Sequence, residues 1–267
     1  MIYNEPVWAR VWVSHYARQV GAANCLVLDH GSTDGSTEGL GVAVERVRRT
    51  SLDEDRRAAL VSDCVAELLR GFDAVVHTDA DELLVADPAR YADLHAYAAV
   101  APDVMTPVGL DLQHLPDDEG ALDPGRPLGA QRRWVRFSGA MCKPAMVRRA
   151  VRWGPGFHNC DAARRVGEAY LIHLRYADLG TGLARLARTR GQLFTRVDAN
   201  PHQRVADADF EEMVRAIGRL PREEGDLRAL VEPWMARMRA GWERGDGQLS
   251  LAGSTLWQLP EAVLEAL

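Results

Sequence analysis

Twice within its first 82 residues this chain runs a short apolar stretch straight into carboxylates. Cys25-Leu26-Val27-Leu28 stops at Asp29, and Ala74-Val75-Val76 leads across His77-Thr78 into Asp79-Ala80-Asp81-Glu82. Runs this short, set between segments of helical spacing, read as buried strands of an alternating α/β chain. That alternation predicts a largely parallel sheet with helices on its faces, and ligands that bind beyond the carboxyl ends of the strands. Asp79 and Asp81, one small residue apart, project to the same side of extended backbone. Two such carboxylates repel unless a cation lies between them or one is protonated. An oxygen-only pair suits Mg²⁺ or Mn²⁺. A charged turn closing a strand is the plainer reading of any D-x-D taken alone.

The upstream strand end supplies the second constraint. After Asp29 come His30-Gly31-Ser32-Thr33-Asp34-Gly35-Ser36, glycines for close backbone approach and Ser, Thr and Asp able to cap a following helix. Asp29 at such an edge can accept from a ribose hydroxyl or a base N–H. Counting from Asp29, the sixth residue is Asp34 and the twelfth Leu40, which excludes an EF-hand loop. Neither G-x-G-x-x-G nor a phosphate-binding G-x-x-x-x-G-K-[ST] occurs here.

Helical spacing recurs after Asn4, where Pro6 suits a first turn and Val7, Trp8, Val11, Trp12, His15 and Tyr16 form a stripe. Further helices are expected over about 37–48, 52–70 and 91–100 and another strand over 103–112, with a loop at 116–127. After Tyr176 the chain turns to Arg-, Ala-, Leu- and Glu-rich amphipathic stretches up to about Gly245. The division expected is a sheet-bearing domain over 1–176 and a helical extension over 177–267, packed on the same domain.

Together these segments resemble the family 2-like glycosyltransferases of the GT-A fold. The resemblance runs through Tyr3-Asn4-Glu5, Leu28-Asp29-His30-Gly31-Ser32-Thr33-Asp34-Gly35-Ser36 and Asp79-Ala80-Asp81-Glu82-Leu83-Leu84. It continues through Lys143-Pro144, Gly156-Phe157-His158 and Ile172-His173-Leu174-Arg175-Tyr176. Each motif is short; their shared order and spacing over two-thirds of the chain carry the likeness. One departure stands out: only Met1-Ile2-Tyr3 precede Asn4, too few for an ordinary central strand. Either the start lies upstream or the first strand is abbreviated, which weighs on Asn4 and Glu5 more than on the acidic cluster.

The resemblance implies a Rossmann-like GT-A domain with a mostly parallel sheet. It implies an enzyme that moves a sugar from a UDP- or GDP-linked donor to an acceptor hydroxyl, a glycan or a small molecule, with inversion. Mn²⁺ or Mg²⁺ would be held by Asp79, Asp81 and His158, with His173 the next choice. The nucleoside would meet Asn4, Glu5, Asp29 and Asp79. Glu82 and Asp161 are the catalytic candidates, Asp161 as general base with Asp111 as its rival. Lys143, His173 and Arg175 are candidates for phosphate or acceptor contacts. Trp134 and Trp153 could stack on sugar faces or fill the core. A sugar-phosphate nucleotidyltransferase and a non-catalytic binding or scaffold relative remain as alternatives.

Composition narrows the partners. A formal charge of −6 argues against nucleic acid, whose phosphates demand a basic surface. The 4 cysteines form no C-x-x-C pair, as expected of a reduced, cytoplasmic protein. No signal peptide and no apolar run near the ~20 residues of a spanning helix is found. Peripheral membrane attachment, and self-association through the C-terminal helices, are left open.

Overall fold

The computed structural model describes residues 1–192, 194–195, 204–246 and 248–267. The stripe after Asn4 folds as helix α1, Trp8–Val20, which buries Trp8, Ala9, Val13, His15 and Tyr16. Strand β1, Leu26–Asp29, follows and pairs in parallel with β2, Ala43–Arg46. β2 stands where a helix over 37–48 was expected. Gly35, Gly39 and Gly41 all hold positive φ there, a conformation no helix interior contains. Helix α2, Glu54–Leu68, starts where the Asp53 carboxylate accepts from the Arg56 amide at 3.1 Å. It delivers the chain to β3, Val75–Val76, and then past the acidic cluster into β4, Glu82–Ala86.

Helix α3, Leu94–Ala98, precedes the long buried strand β5, Val104–Gln113. β6, Trp134–Phe137, β7, Met146–Val147, and β8, Arg165–Tyr176, complete the middle of the chain. Beyond them lie α4, Leu179–Arg190, α5, Asp207–Gly218, and β9, Arg222–Glu223. Helix α6, Leu227–Glu243, β10, Leu256–Gln258, and α7, Glu261–Ala266, end the chain.

The architecture is mixed α/β, but the main sheet is not mostly parallel. Its eight strands run β3-β7-β5-β6-β10-β9, with β8 pairing both β4 and β5. Only β5–β8 and β9–β10 are parallel; β3–β7, β5–β7, β5–β6, β6–β10 and β4–β8 are antiparallel. β1 and β2 form a separate two-stranded sheet. The stretch after residue 176 is not purely helical, since β10 sits between β6 and β9. Its Leu227, Val231, Met235, Trp257 and Leu264 share one core with Trp8, Leu83, Leu84, Leu110 and Leu171. No helix among the described residues is long and apolar enough to cross a membrane.

Candidate functional site

β4 and β8 place the acidic cluster. Their antiparallel register sets Glu82 opposite His173, and β5 sets Asp111 opposite His173 on the other side. These side chains border a cavity of about 630 Å³. Its lining includes Glu5, Asp79, Asp81, Glu82, Lys143, His158, His173 and Arg175, eight of the eleven residues singled out by the motifs. Five separate segments of the chain bring them there.

Every carboxylate of the cluster is already engaged. Asp79 is paired with Arg57, and Lys143 Nζ lies 3.9 Å from its second oxygen. Lys143 itself is buried and donates to Glu82 Oε1 at 2.7 Å, while the other Glu82 oxygen accepts from the Asp79 amide at 3.1 Å. Asp81 is clasped by both terminal nitrogens of Arg185, from α4, and by His173 Nε2 at 3.2 Å. His173 Nδ1 reaches Asp111 at 2.8 Å, and Arg136 pairs with Asp111 at 3.3 Å. Glu5 closes the arrangement through Arg188 at 2.8 Å and Arg185 at 3.5 Å. Arg57 is also steadied by Glu54 and by the face of Phe157, 4.8 Å away.

The charges follow from these contacts. Burial disfavours the ionised forms of Asp79 and Asp81, yet Arg57 and Lys143 for the first, and Arg185 and His173 for the second, outweigh it and hold both below the usual carboxylate range. Burial likewise opposes a charged His173, but its hydrogen bonds to Asp111 and Asp81 lift it to about 9. It is therefore an imidazolium at neutral pH. For Glu5 burial prevails over Arg185 and Arg188, and its acidity is weakened.

Three expected site residues lie elsewhere. Asp161 is exposed and caps a turn by accepting from the Arg152 amide at 2.8 Å. It does not line the cavity, whereas Asp111 does. Asp29 is buried beneath its own loop, accepting from the Ser32 amide at 2.7 Å and from Arg46 at 3.3 Å. Asn4, at φ 50°, fastens the same loop: its amide donates to Ser32 Oγ at 3.0 Å and its Oδ1 accepts from the Thr33 amide at 2.8 Å. The Asn-Glu and Asp-x-Gly-Ser segments thus brace one another beside the cavity. Trp153 is buried, donating to the Pro144 carbonyl at 3.2 Å, and Trp134 lies under Arg222. Neither lines the cavity.

Arg57, Arg185 and Arg188 escaped the sequence reading. In a chain with so many arginines, position alone marks none of them; the helical spacing of Arg185 and Arg188, three apart, was the one available sign.

The donor set was tested against a divalent ion. Asp79 and Asp81 are of the right chemistry, but a fixed guanidinium occupies each. His158 Nδ1 lies 2.9 Å from the Ala140 carbonyl. Among the described residues no three His, Cys, Asp or Glu side chains converge so as to hold a metal. As folded, the residues do not fit a resident ion, which could enter only by displacing Arg57 or Arg185. Comparison of the sequence with protein-family models gives no match, and comparison with curated proteins gives none either.

Proposed function

We propose that the protein is a glycosyltransferase that takes a sugar from a nucleoside-diphosphate donor and delivers it to an acceptor hydroxyl. The observation that carries this reading is the convergence of eight motif residues, drawn from positions 5 to 175, on one polar cavity. The cavity suits an anion despite its acidic cluster. Seven Arg or Lys side chains face six carboxylates in its lining, and His173 adds a positive charge, in a chain whose net charge is −6.

Sugar transfer leaves a diphosphate whose negative charge grows as the glycosidic bond breaks. Fixed cations placed where that charge develops stabilise the transition state more than the ground state. Arg57, Lys143, Arg185 and Arg188 are such groups, held in place by Asp79, Glu82, Asp81 and Glu5. Arg185 and Arg188 are planar forks of the kind that pairs with phosphate oxygens; the fork of Arg185 is engaged by Asp81, so a phosphate there shares or displaces that carboxylate. The acceptor proton needs a carboxylate inside the cavity, and Asp111 fills this role in place of Asp161.

Calorimetry with UDP and GDP, in EDTA and again with Mn²⁺, tests the proposal. One nucleotide binds in EDTA, and Arg185→Ala weakens it by about tenfold, as loss of a charged hydrogen bond does. A strict requirement for Mn²⁺ would show that the ion replaces the two guanidinia. Binding of neither nucleotide under either condition would refute the donor assignment. Complete pairing of the acidic cluster is also what a non-catalytic relative would display, so binding without turnover, across a panel of UDP- and GDP-sugars, would favour that second reading.

A further inference from the structure

Behind the cavity the backbone is strained at one bulky residue. The chain between Arg152 and Asp161 doubles back on itself. The Gly154 amide donates to the Asn159 carbonyl at 3.0 Å, the Asp161 amide to the Arg152 carbonyl at 3.0 Å, and Trp153 forms a bridge with Cys160. Within this turn Gly156 holds φ 69° and Phe157 φ 62°. Glycine enters that left-handed region freely, whereas a bulky aromatic residue there is an outlier that costs folding free energy. Such strain persists only where the surroundings fix it, and it gathers at functional sites.

What the turn achieves is the placing of one ring. Phe157 is fully buried and does not line the cavity, although its neighbours Gly156 and His158 do. Arg57 lies over the ring, 4.8 Å from its centre, and Lys143 Nζ lies over it at 6.0 Å, both within reach of the negative face of an aromatic. The rings of His77 and Trp153 pack against Phe157 at 4.2 and 6.4 Å. Neither nitrogen of His77 finds a hydrogen-bond partner among the described residues, and burial keeps this imidazole neutral. It serves as one more flat ring in the cluster and not as a base.

Arg57 and Lys143 carry like charge and share one carboxylate. Arg57 pairs with Asp79, and Lys143 Nζ lies 3.9 Å from the second Asp79 oxygen. Two cations drawn to a single anion repel each other. Aliphatic packing offers nothing against that repulsion; the face of Phe157 does. We propose that Phe157 is a positioning residue whose ring, set by the strained turn, holds Arg57 and Lys143 together at the wall of the cavity. Its part in binding rests on the glycosyltransferase reading, in which these two cations meet the diphosphate of the donor. Phe157 brings them together before the donor arrives, which strengthens binding by pre-organisation.

Replacing Phe157 by phenylalanines that bear one, two, three or five ring fluorines tests this. Fluorine withdraws electron density from the ring face and changes its shape little, so a ring that merely fills space gives a flat series. Thermal midpoints confirm that each member is folded. In calorimetry, the affinity for whichever of UDP and GDP binds the parent falls stepwise, by about fivefold at five fluorines. Should that last member fail to fold, the earlier ones still give the slope. Lys143 is the only lysine of the chain, so lysine labelled with ¹³C at the ε-carbon gives a single side-chain signal. Without any nucleotide, its relaxation shows motion that grows with fluorine number. An affinity or a lysine mobility independent of fluorine number overturns the proposal. A parent that binds neither nucleotide refutes the donor assignment instead, and the lysine mobility then decides alone whether the ring holds Lys143 in place.

Discussion

At the scale of single residues, the site is held by ion pairs whose members are costly to leave alone. Asp81→Asn removes the charged partner shared by Arg185 and His173, leaving, among the described residues, Arg185 only Glu5 at 3.5 Å and His173 only Asp111 to pair with. Arg185 keeps a third of its side chain in solvent, so the loss is smaller than for a fully buried pair, about 2 kcal/mol in urea unfolding. A variant as stable as the parent would show that Glu5 alone holds Arg185 as well as the pair does. The same substitution should pull the His173 titration, followed by imidazole NMR, downward from about 9. A midpoint near the ordinary 6.5 in the unmodified protein would contradict the hydrogen bonds to Asp81 and Asp111. Asp81 was legible in the sequence from its D-x-D-E motif, although the two acids sit in a turn closed by the Glu82 amide on the Asp79 carbonyl at 3.1 Å and not in extended backbone. Arg185 was not, because its role depends on which face of α4 meets the sheet.

At the scale of elements, packing decides what spacing cannot. The 3-10 turn Leu128–Ala130 lies so close to α7 that a Cβ on Gly129 would collide with the Leu264 carbonyl. Gly129→Ala should therefore cost about 1–3 kcal/mol by overpacking, seen as a lower urea midpoint. An unchanged midpoint would mean that α7 moves freely aside. Asp53→Ala, which removes the cap of α2, should cost about 1 kcal/mol. α1, α2 and the first two apolar strands were readable from their periodicity and caps. β2 was not, since its four residues are all exposed and no alternating pattern distinguishes it. The antiparallel partners of β5 were hidden for another reason: β6 and β7 are four and two residues long, and nothing local in them records which edge of β5 they meet.

At the scale of the whole molecule, the paired charges set a pH range. His173, raised to about 9, contributes stability that is complete below its ordinary 6.5 and is lost as pH rises through 9. Asp79 and Asp81, held low, contribute stability present above their ordinary 3.8 and lost as pH falls below it. Thermal midpoints measured across pH should be highest from about 5 to 6.5 and fall on both sides, on the alkaline side progressively up to about pH 9. A midpoint that keeps rising above pH 9 would mean that His173 is neutral in the folded state. The general class, strands alternating with helices, was visible in the first 112 residues. The sheet order was not, because β10 comes from the last dozen residues and no local pattern records its insertion beside β6.

The bond between Glu5 and Arg188 joins positions 183 residues apart. A ribosome releases the amino end of this chain long before the helix that carries the arginine, so Glu5 emerges first and waits for its cationic partners. The last ion pairs of the cavity are thus made late in synthesis, and a nascent chain halted before α4 would lack Arg185 and Arg188 and leave Asp81 and Glu5 without these partners.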